Sequence, residues 1–402
     1  MTKPWLNINA ETTDAELFRI IREIKEHFPE DADTAAELAQ SLASSGTRIA
    51  PRGAFSADVA STGGPSSLST LICPLFLAAG GAKVPKLGVP GRPAGGIDCL
   101  AQIPGYKPWM TRQDVERGLD IAGYVHFLPG PDIAPLDLRM FRLRQQSSAQ
   151  DVPTLVTASL MGKKLAVGVK YAGLDIRVAP HGNFGKNWED ARQNANLFIQ
   201  AGKRLEIQAA PVLTDGRYPY QPYIGRKEAL LAVNKIFSGE SSPWLAEHLD
   251  LCQALALSCT PLPMRERLSR ATASDLQKTF EMNVEVQGGQ IEQLRDMLPE
   301  VEQAHCHRII ADKDGFVFFH LESIRRILTE WQQRCIDNEH PFPDPVGIIF
   351  TKRPGEWARN GEILATLRVE GVPVIPLLND LDGSVLGVQH EFRSARAEGI
   401  SA

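Results

Sequence analysis

The sequence predicts an α/β protein with helices at its N-terminus and an α+β tail. Three observations carry that prediction. Apolar residues near the N-terminus recur at helical steps. From Phe55 onward, short apolar runs alternate with Gly-rich turns and helical stretches. After about Ala273 the texture changes again, to a helix followed by short strands. The 402 residues suffice for two or three domains with buried cores.

Taken in order, Leu17, Ile20, Ile21 and Ile24 place a helix from about Thr13, which Thr13 or Asp14 can cap. A second helix follows over about 34–44. Residues 66–79 read as a largely apolar helix that stops at Gly80-Gly81 and is kinked at Pro74. A short strand at 84–89 and a helix at 111–122 come next. Two helices then lie close together, at 135–146 and 152–165; Pro153 sits in the first turn of the second, and Asp151 can cap it. The alternation resumes with a strand at 174–178, a helix at 188–201 and a strand at 205–213. Helices follow at about 227–237 and 242–257. In the tail, a helix at 289–297 precedes a hairpin over 307–319 with Asp314-Gly315 as its turn, and strands are expected at 346–350 and 362–369.

Composition excludes several classes of function. Forty-three Lys and Arg against 48 Asp and Glu give a net charge of −5, which argues against bulk binding to duplex nucleic acid or anionic lipid. No apolar run approaches a membrane span, and the N-terminus lacks the basic start and apolar block of a signal peptide. Six scattered cysteines read as reduced core thiols, so a cytoplasmic protein is expected. His305-Cys306-His307 puts two imidazoles on one face of a strand; packed or surface histidines explain it better than a metal.

The segment Asp58-Val-Ala-Ser-Thr-Gly-Gly-Pro-Ser-Ser-Leu-Ser-Thr is a strand, a hydroxyl-lined Gly turn and a helix start. Ser61, Thr62, Gly63, Gly64 and Ser69 can surround an anion with hydroxyl and N–H donors. An ordinary turn capped by Ser66 or Ser67 accounts for it equally well. It is neither a GxGxxG run nor a P-loop. Ser159 and Lys163, four apart, share a helix face, and Arg144 lies on the preceding helix. Together they can hold a planar ligand with several carbonyl oxygens, or they can form a solvated face. His181, in the turn Ala179-Pro-His-Gly-Asn-Phe-Gly-Lys after a strand, can be an acid, a base or a cap.

At these residues the sequence resembles the thymidine/pyrimidine nucleoside phosphorylase family, which is related to anthranilate phosphoribosyltransferase. Ser61-Thr-Gly-Gly matches the end of the family's Lys-His-Ser-Thr-Gly-Gly phosphate loop. Ala78-Ala-Gly-Gly, Pro93 to Asp98, Ile103-Pro-Gly, Leu143-Arg144 and Thr157-Ala-Ser-Leu-Met-Gly-Lys-Lys follow in the family's order. Ala311-Asp-Lys-Asp-Gly-Phe-Val, Val346-Gly-Ile-Ile-Phe and Gly361-Glu-Ile-Leu-Ala-Thr-Leu extend the match into the tail.

The resemblance implies a fold of the nucleoside phosphorylase class II type: α/β, with a mainly helical lobe and a C-terminal α+β domain. Residues 1–50 and 135–166 would form the helical domain, 51–134 and 167–272 the α/β domain, and 273–402 the tail. It implies a homodimer that transfers a pentosyl group from a pyrimidine nucleoside to phosphate, the co-substrate, with no other cofactor and no metal. Arg144, Ser159 and Lys163 would bind the pyrimidine, with Arg144 and Lys163 stabilising the departing base. The family's Lys and His before Ser-Thr-Gly-Gly are Val59 and Ala60 here, a phosphate hydroxyl becomes Gly88, and another becomes Ile97. The Asn and Glu expected in the helix near Gly225 are not evident. The base half of the site is kept and the phosphate half is rebuilt. Lys86, Arg92 or Lys186 would supply the missing cations and His181 the missing acid. Alternatively, phosphorolysis is lost and the chain binds a pyrimidine-like ligand or uses another anionic or sugar substrate.

Overall fold

The computed structural model describes residues 3–53, 55–62, 64, 66–337, 341–381, 383 and 385–390. Its first half comprises α1 (Asp14–His27), α2 (Ala32–Ser44), β1 (Ala57–Ser61), α3 (Ser69–Ala79), β2 (Val84–Leu87), α4 (Gly96–Leu100), α5 (Arg112–Ala122), β3 (Tyr124–Phe127), α6 (Pro135–Gln146), α7 (Pro153–Ala166), β4 (Tyr171–Val178), α8 (Trp188–Arg204) and β5 (Gln208–Asp215). Then come β6 (Tyr223–Ile224), α9 (Arg226–Phe237), α10 (Pro243–Ser258), α11 (Leu262–Ser269), α12 (Ala273–Val286) and α13 (Ile291–Gln303). The tail holds β7 (His307–Ile310), β8 (Gly315–Phe319), α14 (Leu321–Arg334), β9 (Val346–Phe350), β10 (Trp357–Ala358), β11 (Ile363–Val369), α15 (Val374–Asp380) and β12 (Leu386–Gln389).

Helix starts follow their local chemistry. Thr13 caps α1 through a box with Glu16, Thr111 accepts from Asp114 N–H at α5, and prolines open α6 and α7. Strands β1, β4 and β5 pair in parallel, as do β2 and β3, and a parallel bridge between Ser56 and Lys83 joins the two groups. Such parallel strands need helices on both faces, and they have them. One core packs α1, α2, α6, α7 and α8 on one face of the sheet. The other face carries α3 and α9–α13, so the helices over 273–303 pack with the α/β body rather than with the strands that follow them. A third core belongs to the tail, whose strands form the antiparallel sheets β6-β9-β11-β7 and β10-β8-β12.

One expected element is corrected. The strands flanking Asp314-Gly315 are present, but they do not form a hairpin. β7 pairs with β11, while β8 pairs with β12 and β10. The Asp314 carboxylate accepts from the Asn360 N–H at 2.7 Å, so the turn is tied to a distant loop instead of closing on itself. The 66–79 helix begins at Ser69, after a three-residue run at Ser66–Leu68 that stays outside it.

The tail is bound to the body by buried charge. Arg368 donates to both oxygens of Glu228, at 2.6 and 3.0 Å, and to Asp344 at 2.5 Å; His305 Nε2 lies 3.0 Å from the same Glu228. Burial alone would raise the Glu228 carboxyl, but Arg368 and His305 hold it below its usual range. A side chain at Gly225 or Gly347 would overlap that carboxylate.

Candidate functional site

The carboxyl ends of the parallel strands face α6 and α7 across a single cavity of about 180 Å³. Ligands of open α/β sheets bind at this end of the strands. Arg144, Ser159 and Lys163 line one side; Ser61, Thr62, Gly64 and Lys86 line the other. The cavity therefore brings together the two groups of residues that the sequence placed in separate motifs.

On the helical side, Ala134 adopts a left-handed conformation (φ 49°), and Pro135 starts α6. This places Asp137 in the first turn, 1% exposed. Its carboxylate accepts from Ser159 Oγ at 2.8 Å and from Lys163 Nζ at 3.0 and 3.2 Å. Lys163 also donates to Ser159 at 2.7 Å. Burial lowers the Lys163 ammonium below its ordinary value against the pull of Asp137, with Arg144 and Arg92 adding to the drop. Arg144 donates to the carbonyls of Ala149, Leu155 and Gln150 at 3.1, 3.2 and 2.9 Å, which fixes the 147–152 connection between the helices. Burial brings its guanidinium down to about 10. Asp137 carries no spacing signal in the sequence: it meets Ser159 only because the two helices pack.

On the sheet side, Asp58 at the core of β1 is gripped by Lys86 at 2.7 Å and by Lys164. Burial alone would raise its carboxyl, but Lys164 and Lys86 hold it well below the usual range. Lys86 also donates to the Val59 carbonyl at 2.6 Å, so its ammonium is largely spoken for. Thr62 stitches β1 to β4: its N–H donates to the Asp175 carbonyl and its hydroxyl accepts from the Arg177 N–H at 2.9 Å. Ser69 lies behind the wall, 1% exposed, donating to Asp175 at 3.3 Å and accepting from Arg177 at 3.0 Å. Gly64 has φ 103°, and a Cβ there would stand 3.1 Å from the Arg177 guanidinium. Gly63 lies outside the described residues.

The glycine at position 88 has a physical explanation. His126, on β3, lines the cavity and is 1% exposed. A Cβ at Gly88 would stand 2.9 Å from its Nε2, and one at Gly96 would stand 2.6 Å from its Cε1. The imidazole thus fills the space a side chain at 88 would need, and Ile97 would stand 3.1 Å from the same Cβ. Its Nδ1 lies 3.1 Å from the Tyr124 hydroxyl. Burial, then Lys86, push its basicity well below the ordinary histidine value, so it is neutral. His126 was not legible in the sequence, because a lone histidine in a short strand has no motif around it.

Arg92 lines the cavity with its guanidinium 5.4 Å from the Phe141 ring. Arg177 and Arg325 join it, the latter from α14 of the tail, about 150 residues further along the chain than Arg177. His181 is not on the cavity wall; it is half-buried and lowered by burial, with Glu322 opposing and Arg325 reinforcing the shift. Lys186 is exposed and pairs with Asp151 at 2.9 Å. Glu228 occupies the helix after Gly225 but faces the seam with the tail, not the cavity. His305 is engaged with Glu228, and among the described residues no group of three or more His, Cys, Asp or Glu is placed to hold a metal. No helix among them is long and apolar enough to cross a membrane.

A parallel-stranded α/β body, a helical lobe and a cationic cavity between them make an α/β architecture consistent with the nucleoside phosphorylase class II type. The sequence comparisons agree. The chain is 23% identical over 366 residues to the pyrimidine-nucleoside phosphorylase of Staphylococcus epidermidis, covering 87% of this chain and 83% of that one. It is 29% identical over 213 residues to human thymidine phosphorylase, covering 51% and 44%. These similarities fit a divergent member of the thymidine/pyrimidine nucleoside phosphorylase family. No family model matches the chain. Among solved structures, anthranilate phosphoribosyltransferase from Saccharomyces cerevisiae in complex with PRPP and Mg aligns with a TM-score of 0.49 at 11% identity, over 68% of this chain and 85% of that one.

Proposed function

We infer that the protein is a pentosyltransferase that breaks the N-glycosidic bond of a pyrimidine nucleoside and joins the sugar to phosphate. The observation that carries this reading is the shared cavity: Arg144, Ser159 and Lys163 face Ser61, Thr62 and Gly64 across one space. A base lies on the helical side and an anion on the sheet side. As the bond from the sugar to the base breaks, its electron pair passes to the base. Lys163 and Arg144 stabilise that negative charge in a site shielded from water. The sugar carbon, oxocarbenium-like, accepts a phosphate oxygen, and free base and pentose 1-phosphate result. With its basicity lowered by burial, Lys163 gives up a proton to the base more readily than an exposed lysine would. His126, being neutral, adds no positive charge to the anion side. A homodimer in the cytoplasm completes the reading.

The test is incubation of the folded protein with uridine or thymidine plus phosphate, following release of free base by chromatography. Base release that needs phosphate supports pentosyl transfer. No release from protein shown to be folded overturns it and leaves a chain that binds a pyrimidine-like ligand or acts on another sugar.

A further inference from the structure

The cavity holds more positive charge than its carboxylates balance. Seven cationic side chains line it: Lys86, Arg92, Arg144, Lys163, Lys164, Arg177 and Arg325. Asp58 serves Lys86 and Lys164, Asp137 serves Lys163, and Asp175 serves Arg177 at 3.0 Å. Arg144 is turned to backbone carbonyls. Among the described residues, neither the Arg92 nor the Arg325 guanidinium is in an ion pair or donates a hydrogen bond; that of Arg92 lies over the Phe141 ring. The acids that act on them are otherwise placed: Asp98 pairs with Arg226 at 3.3 Å, and Glu322 is exposed.

Arg92 and Arg325 sense the neighbouring guanidinium groups. Burial lowers Arg92 to about 10, with Arg325 and Arg177 adding to the drop and Asp98 opposing it. Burial and Arg177 likewise lower Arg325, against Glu322. Like charges gathered at one wall are unfavourable unless an anion joins them. The space beside Gly88, meanwhile, is filled by His126. An anion entering the cavity is therefore displaced from that side toward the arginines.

We propose that Arg92, Arg177 and Arg325 form a clamp for a phosphoryl dianion, so that the C-terminal tail supplies one arm of the active site. Arg92 comes from the loop after β2, Arg177 from the end of β4 and Arg325 from α14. Planar guanidinium forks suit the tetrahedral oxygens of phosphate or of a sugar phosphate. The identity of the anion rests on the pentosyl-transfer reading; the clamp itself does not.

Calorimetric titration with inorganic phosphate and with ribose 1-phosphate tests the clamp on the full-length protein. Wild type is expected to bind both. Arg325→Gln and Arg92→Gln are each expected to weaken binding by tenfold or more, and Arg325→Lys to weaken it less. The unfolding midpoint without phosphate checks that each variant is folded; should Arg325→Gln be unfolded, Arg325→Lys and Arg92→Gln decide. Phosphate affinity unchanged in the arginine variants, or no phosphate binding by wild type, overturns the clamp. Phosphate that binds through Arg325 without base release from uridine or thymidine keeps the clamp and removes pentosyl transfer. Base release with an unchanged KM for phosphate in Arg325→Gln does the reverse.

Discussion

A hydroxyl cannot return to position 88 while His126 stays in place. Gly88→Ser forces a side chain against an imidazole nitrogen 2.9 Å from its Cβ and against Ile97 at 3.1 Å. Overpacking of this kind costs about 1–3 kcal/mol. We expect the serine to lower stability alone and to be better tolerated in the His126→Ala background. The check is a double-mutant cycle by chemical denaturation, in which additive losses would contradict the overlap. Single residues were legible in the sequence where a helix repeats them. Arg144, Ser159 and Lys163 fell out of family spacing and the four-residue step between the last two. Asp137, His126 and Arg325 did not, because tertiary packing alone brings them to the cavity.

Among the elements, α7 matters most, since it carries Ser159, Lys163 and Lys164 and packs along α2. The approach is close at Gly162, where a Cβ would stand 3.3 Å from both the Ala39 carbonyl oxygen and the Leu42 Cβ. Gly162→Leu is expected to cost about 1–3 kcal/mol and to shift α7, weakening ligand binding along with stability. A lowered unfolding midpoint with unaltered affinity would show that α7 holds its cavity face independently of α2. Most helices and parallel strands were legible as elements, because periodicity and caps are local. The tail pairing was not. A turn signal at Asp314-Gly315 marks a change of direction, but the partners of β7 and β8 are chosen by β11 and β12, some 50 to 70 residues away.

For the whole molecule, buried ionisable groups set the response to acid. Burial lowers His126 well below its ordinary value, and burial with Arg177 lowers His248 to about 3. The unfolded chain takes up these protons near pH 6.5 and the folded chain does not, so stability is full above that pH and falls below it by about 1.4 kcal/mol per unit per group. Asp58 and Glu228 are held below the carboxylate range instead, and their contribution is present above about pH 4 and lost below it. Between pH 7 and pH 5 the histidines therefore dominate. We expect a loss of about 4 kcal/mol across that interval, roughly half of it absent in His248→Gln. A flat denaturation profile over those pH values would contradict two neutral buried imidazoles. The change in sequence texture near 273 suggests where the tail begins, but the helices over 273–303 pack with the α/β body and not with the strands of the tail. The reach of α14 into the cavity could not be read from the sequence, since nothing local in a helix says what it faces.

The seam at Glu228 restricts how this sequence can drift. One carboxylate occupies the space of two missing side chains, at 225 and 347, while one guanidinium neutralises it. No single substitution among positions 225, 228, 347 and 368 leaves the other three content. Bulk at either glycine collides with the acid, and loss of the arginine strands it in a dry interior. A change at one of these positions therefore calls for a compensating change at another.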